Sequence, residues 1–182
     1  PATYRVSWAP VVLSYSSRMA PPEVEAMESV ARAAGVFVTS DWTPVCTHLL
    51  IEQLAITPKL LCCVACGGTP VAATFLEAVS ATGSAEELPD ARLHLPRPPS
   101  GVDAEYAAEL SAYLERPAPR RGLLDGVWVI FAARQAREAL ALPLRHAGSH
   151  VHFLAQPSLA AELRARGAPR AIWAVPSLGQ EV

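Results

Sequence analysis

Short apolar runs alternate with stretches that carry helix start and stop signals, and this alternation leaves the chain few architectures. Val11-Val12-Leu13, Val36-Phe37-Val38 and Cys46-Thr47-His48-Leu49-Leu50-Ile51 are too short for typical helices and read as strands. Between the first two, Pro21-Pro22-Glu23 opens a helix in which Val24, Met27, Ala31 and Ala34 recur at helical spacing, and Gly35 closes it. Asp41-Trp42-Thr43-Pro44 is a turn. Thr57-Pro58-Lys59-Leu60 then leads into Leu61-Cys62-Cys63-Val64-Ala65-Cys66 and stops at Gly67-Gly68. A threonine cap, a proline at the first helical position and closing glycines agree with one another there. After Thr69-Pro70-Val71, the spacing of Thr74 and Glu77 predicts a capping box ahead of Ala78-Val79, with a stop at Gly83. The order β-α-β-β-α-β-α, over about eighty residues, implies a largely parallel sheet covered on both faces.

From Ser84 to Arg121 prolines bracket a single amphipathic stretch, Val102 to Glu115, as in an extended linker carrying one helix. The opening pattern then returns: Gly126 to Phe131 as strand, Arg134 to His146 as helix, Gly148 as cap and Val151 to Leu154 as strand. Gly35 and Gly148 lie 113 residues apart, which points to an internal duplication. Pro143 is expected to kink or shorten the second copy's helix. Ser158 to Arg166 reads as a further helix and Ala171 to Val175 as a strand, after which the second copy looks incomplete. The predicted class is α/β, with domains over 1–84 and 122–182 and a linker over 85–121.

Charged residues make up 18% of the chain and the formal net charge is -2, so a broad basic surface for duplex DNA is not expected. No apolar run approaches the ~20 residues that span a bilayer, so no membrane partner is expected. A start on Pro1 is what a piece of a longer chain would show. The four cysteines, Cys46, Cys62, Cys63 and Cys66, form a poor disulfide framework, because vicinal side chains on a helix diverge. Zinc through Cys46, His48, Cys62 and Cys66 is conceivable, but neither Cys-x2-Cys nor His-x3-His occurs, and buried thiols are the expectation. His150 and His152 share a strand face, but two ligands do not make a metal site. Gly-x-Gly-x-x-Gly, the P-loop pattern and Gly-x-Ser-x-Gly are all missing, so no enzyme class is indicated. His48 on a buried strand reads as a core imidazole. Glu23, Glu25 and Glu28 suit the start of a helix dipole without a catalytic role.

One residue stands out chemically. Lys59 is the only lysine, against fourteen arginines. It falls at the second position of a predicted helix, where unpaired N–H groups already present partial positive charge, so a cation there is mildly unfavourable unless an anion docks. An ammonium group beside a helix N-terminus suits phosphate, and Ser16 or Ser17 after the first strand can complete the coordination. In a parallel sheet both loops leave at the carboxyl edge, where such folds bind ligands.

The strings Trp42-Thr43-Pro44-Val45-Cys46-Thr47-His48-Leu49-Leu50, Thr57-Pro58-Lys59, Cys66-Gly67-Gly68 and Phe75-Leu76-Glu77-Ala78 together resemble a BRCT repeat. The long linker and the Gly126 to Phe131 strand resemble the second member of the tandem BRCT pairs found in DNA double-strand-break repair proteins. The resemblance implies two BRCT-like domains, each a parallel four-stranded sheet flanked by helices. It implies a non-catalytic nuclear interaction module without cofactors that binds phosphoserine-containing DNA-damage-response proteins. A break-repair nuclease and ATPase complex would be reached through other parts of the full-length protein. In that pattern a hydroxyl residue after the first strand and a lysine opening the second helix hold the phosphate, with a supporting threonine. These roles fall on Ser16 or Ser17, Lys59 and Thr57. The family's glycine after the hydroxyl residue and its arginine before the threonine are replaced here by Ser17 or Arg18 and by Ile56, and its usual tryptophan by Phe75. Counting 113 residues on from Lys59 reaches Ile172, so only the first repeat carries the lysine. The alternative is a structural BRCT pair making phosphate-independent protein contacts.

Overall fold

The computed structural model describes residues 11–82, 88–101, 103–115, 122–165 and 167–176. Contacts group the chain into two units, Pro1–Leu54 with Thr69–Glu115, and Ala55–Gly68 with Arg116–Val182.

In the first unit β1 (Val12–Tyr15), α1 (Pro21–Ala33), β2 (Phe37–Thr39) and β3 (His48–Leu50) follow one another, and after an excursion the chain returns as β4 (Thr69–Val71) and α3 (Ala73–Thr82). All pairings are parallel and the sheet order is β2-β1-β3-β4, with Leu13 opposite both Val38 and His48. Pro21 and Pro22 start α1 with the φ a helix needs, and Glu23 Oε2 accepts from Ala20 N–H (2.9 Å), satisfying an amide before the first turn. Gly35 ends the helix at φ +70°, in the left-handed region where a side chain would be strained. The core is made by Leu13, Leu50 and Val71 of the sheet, Met27 and Ala31 of α1, and Phe75, Leu76 and Val79 of α3. Phe75 stacks on His48 with ring centroids 4.6 Å apart.

The predicted capping box at Thr74 does not form. Helix α3 begins two residues earlier than that cap requires, and Glu52 Oε1, from the segment after β3, accepts from Ala73 N–H (3.0 Å), while Thr74 Oγ1 meets His94 Nδ1 (3.0 Å). A tertiary carboxylate has replaced the local cap. The predicted stop at Gly83 lies outside the described residues. Beyond α3 a 3-10 turn, Ala91–His94, is capped by Asp90, and the chain then runs beside the segment after β3: Arg97 N–H donates to Glu52 O (3.0 Å) and Leu54 N–H to Arg97 O (2.9 Å). Helix α4 (Ala104–Leu114), capped by Asp103, falls in the stretch read from sequence as a linker, and its residues group with the first unit.

The second unit contains α2 (Pro58–Ala65), β5 (Val127–Phe131), α5 (Arg134–His146), β6 (His150–Phe153), α6 (Leu159–Ala165) and β7 (Ala171–Val175). Its sheet has the order β6-β5-β7, again parallel throughout. Val127, Val129 and Phe131 form the core with Ala136, and Val151 and Phe153 pack against them. Although α2 lies between β3 and β4 in sequence, it packs against α5. Pro143 neither breaks nor shortens α5, which runs on to His146; the proline ring is itself buried and only one amide bond is lost there. Because α6 is interposed between β6 and β7, the duplication does not keep a constant offset. Ile172 lies on β7, the counterpart of β3, and is not the counterpart of Lys59.

Candidate functional site

Helix α2 is short, and its start is fixed by three consecutive residues. Thr57 holds extended backbone angles (φ -126°, ψ 154°) and its Oγ1 accepts from Leu60 N–H at 3.2 Å, while its carbonyl accepts from Leu61 N–H at 3.0 Å. Pro58 has no N–H to satisfy. Lys59 follows at the second helical position, half-buried. Thr57 is therefore the N-cap, and its hydroxyl acts first on the helix and only secondarily on any ligand. No acidic residue lies in the first turn of α2, so nothing on the helix itself offsets the partial positive charge there.

Ser16 and Ser17 follow the end of β1. Ser16 N–H donates to Leu50 O (3.0 Å), which carries the β1–β3 ladder one residue further; its Oγ accepts from Arg18 N–H (3.2 Å) and its carbonyl from Met19 N–H (3.1 Å). The Ser16 hydroxyl thus organises the tight turn into α1, whereas Ser17 is exposed. Thr57 and Lys59 come together on one helix turn of the second unit, and Ser16 and Ser17 belong to the first unit. Ile56, immediately before the cap, is 83% exposed.

The remaining polar candidates behave as core groups. His48 accepts or donates one bond through Nδ1 to Thr47 Oγ1 (2.8 Å), and burial holds its pKa down to about 4. Thr47 Oγ1 also bonds Val12 N–H (3.0 Å) and Val12 O (3.1 Å), so the hydroxyl joins β1 to the lead of β3. Cys46, Cys62 and Cys63 are buried and Cys66 is half-buried, with no disulfide among the described residues. Burial, and next the neighbouring Cys66, push the Cys62 thiol up to about 11. Among the described residues no group of three metal-ligating side chains converges.

No family model matches the chain. Nibrin of Gallus gallus is 26% identical over 157 residues, which is 84% of this chain and 20% of that protein. A nibrin homolog of Oryza sativa subsp. japonica is 25% identical over 97 residues, 53% of this chain and 17% of its own length. The chain therefore spans about a fifth or less of these curated relatives. Among solved structures, the BRCT5-BRCT6 domains of S. pombe Brc1 superpose with a TM-score of 0.60 at 19% identity, covering 93% of this chain and 76% of that one. At that identity the likeness speaks for the fold, and the parallel β2-β1-β3-β4 sheet agrees with it. In sequence the chain is similar to nibrins, and in fold it is similar to a tandem BRCT region.

Proposed function

We propose that this region is a non-catalytic protein-interaction module that reads a phosphorylated peptide in double-strand-break repair and checkpoint signalling in the nucleus. Its phosphate ligands would be Lys59 and the hydroxyl of Ser16 or Ser17, with Thr57 in support. Recruitment of a repair nuclease complex would then fall to the longer protein of which such a region is part. The observation that carries this reading is the chain's only lysine at the second position of a helix whose first turn is held by Thr57 and Pro58. A helix start of that kind favours an anion, and a charge-assisted contact to phosphate contributes about 1.5 to 3 kcal/mol. Ser17 offers an exposed hydroxyl at the carboxyl edge of the sheet, where parallel α/β folds bind ligands.

Fluorescence anisotropy with phosphoserine peptides and their unphosphorylated counterparts tests the proposal. Phosphorylation is expected to tighten binding, and Lys59→Met to weaken the phosphopeptide by roughly ten- to a hundredfold. Unchanged phosphopeptide affinity in the variant would remove Lys59 from the site. A second reading, phosphate-independent contact, draws on the exposed Ile56 beside the cap. It predicts that Ile56→Asp weakens partner binding while phosphorylation has no effect.

A further inference from the structure

Among the described residues strand β6 lies at the edge of the second sheet and is bonded to β5 on one side only. Leu154 N–H donates to Phe131 O (2.8 Å), and the two-residue period of the ladder then turns the amides of His150 and His152 toward β5 and those of Val151 and Phe153 outward. A groove of about 730 Å³ follows this edge, lined by Ser149 to Phe153 on one side and by Arg134, Arg137 and Arg145 of α5 on the other. Spacings of three and eleven residues keep the arginines along one flank of the helix, over roughly 16 Å. The Arg137 guanidinium lies over the Phe153 ring, 5.7 Å from its centroid, which fixes it beside the strand. None of the three arginines forms an ion pair among the described residues. Glu162, the carboxylate at the rim, is taken up by Gln156 Nε2 (2.6 Å) and Ser158 Oγ (2.6 Å) and faces His152 Nδ1 at 3.4 Å.

We propose that the β6 edge binds an extended acidic segment of a partner protein. The segment adds to the sheet as a further strand and sets its carboxylates against Arg134, Arg137 and Arg145. A strand rises about 3.3 Å per residue, so roughly five residues span the arginine row and alternate side chains reach it. Outward amides at strand spacing give backbone affinity and the guanidiniums select acidic side chains, which is the division of labour in strand addition. A single-stranded nucleic acid would use the arginines but not the edge amides, so the edge favours the peptide. This surface shares no residue with the phosphate ligands proposed above.

The test uses the 182-residue chain and a labelled peptide of alternating glutamate and valine with blocked ends. Its controls are the lysine-valine analogue, the same peptide N-methylated at alternate residues, and an oligothymidylate. Binding of the acidic peptide is expected, with slowed amide exchange at Val151 and Phe153. Arg134→Glu combined with Arg137→Glu is expected to weaken it at least tenfold. The helix should survive, since glutamate suits the first turn of α5; circular dichroism checks this, and N-methylation, which leaves the protein untouched, is expected to abolish binding independently. Equal affinity for the lysine peptide, affinity within twofold in the double variant, indifference to N-methylation, or tighter oligothymidylate binding lost in the same variant would each overturn the proposal.

Discussion

Replacing the two cap glycines by alanine separates backbone strain from steric exclusion, because Gly35 and Gly148 occupy the same place in the duplicated helix ends but differ in surroundings. Gly35 has φ +70° and a Cβ added there meets nothing within 4 Å among the described residues. Its substitution costs the left-handed strain of about 1 to 2 kcal/mol, less several tenths regained from the stiffer unfolded chain, so about 1 kcal/mol remains. Gly148 has φ +97°, and its added Cβ overlaps the Asp125 carboxylate and comes within 3.1 Å of the Asp125 amide nitrogen. The carboxylate can rotate away but the backbone cannot, and the Asp125 amide is held by Gly122 O at 3.0 Å. Strain plus overpacking of 1 to 3 kcal/mol gives about 3 kcal/mol in total. Hydrogen exchange read separately on β2 and β6 converts these figures into roughly fivefold faster exchange for Gly35→Ala and roughly a hundredfold for Gly148→Ala. Adding Asp125→Ala relieves only the side-chain part and is expected to recover part of the loss. Equal acceleration at both sites, or full recovery in the double variant, would refute the steric reasoning.

Two further outcomes follow from buried titratable groups. Burial lowers the His48 pKa from 6.5 to about 4, so the fold prefers the neutral ring and the unfolded chain binds more protons between those values. The stability this contributes, at most about 3 kcal/mol, is complete above pH 6.5 and lost as pH falls toward 4; a His48 ring titrating near 6.5 by NMR would contradict it. Cys62, with its thiol raised to about 11 by burial and then by Cys66, is expected to resist iodoacetamide at pH 7 in the folded protein and to react once urea is added. Peptide mass spectrometry showing fast native labelling of Cys62 would count against the burial.

Most of the fold was legible because its signals are local. Pro21, Gly35, Thr57, Pro58 and Gly67 act within one helical turn, and apolar runs of three to six residues are too short for typical helices and form strands, although Phe37 of β2 and Ile172 and Trp173 of β7 are exposed. What escaped depends on distant partners. Glu52 caps α3 from 21 residues away, and no local pattern separates that from a Thr74–Glu77 box. The interposed α6 shifts the second repeat, so counting from the glycines misplaced Ile172. Pro143 was read by its intrinsic preference, which burial of the proline ring itself overrides. At the candidate site the α2 cap could be read directly, whereas the Ser16 bond to Arg18 could not, since it needs the turn geometry. The groove arginines left a trace in the three- and eleven-residue spacing of Arg134, Arg137 and Arg145, but the edge strand beside them emerges only from sheet order.

The placement of β5 at the centre of its sheet bears on how the chain is made. Val-Trp-Val-Ile-Phe is synthesised before either flanking strand, and Ala171 of β7 follows Phe131 by about forty residues. At translation rates of about 5 to 20 residues per second, this strand waits roughly two to eight seconds for its second neighbour. Parallel pairing allows no shortcut, because a strand cannot turn back on itself and needs a crossover segment. During that interval one of the most apolar segments of the chain has an open side, so the second unit is where nascent-chain aggregation and chaperone engagement are expected to concentrate.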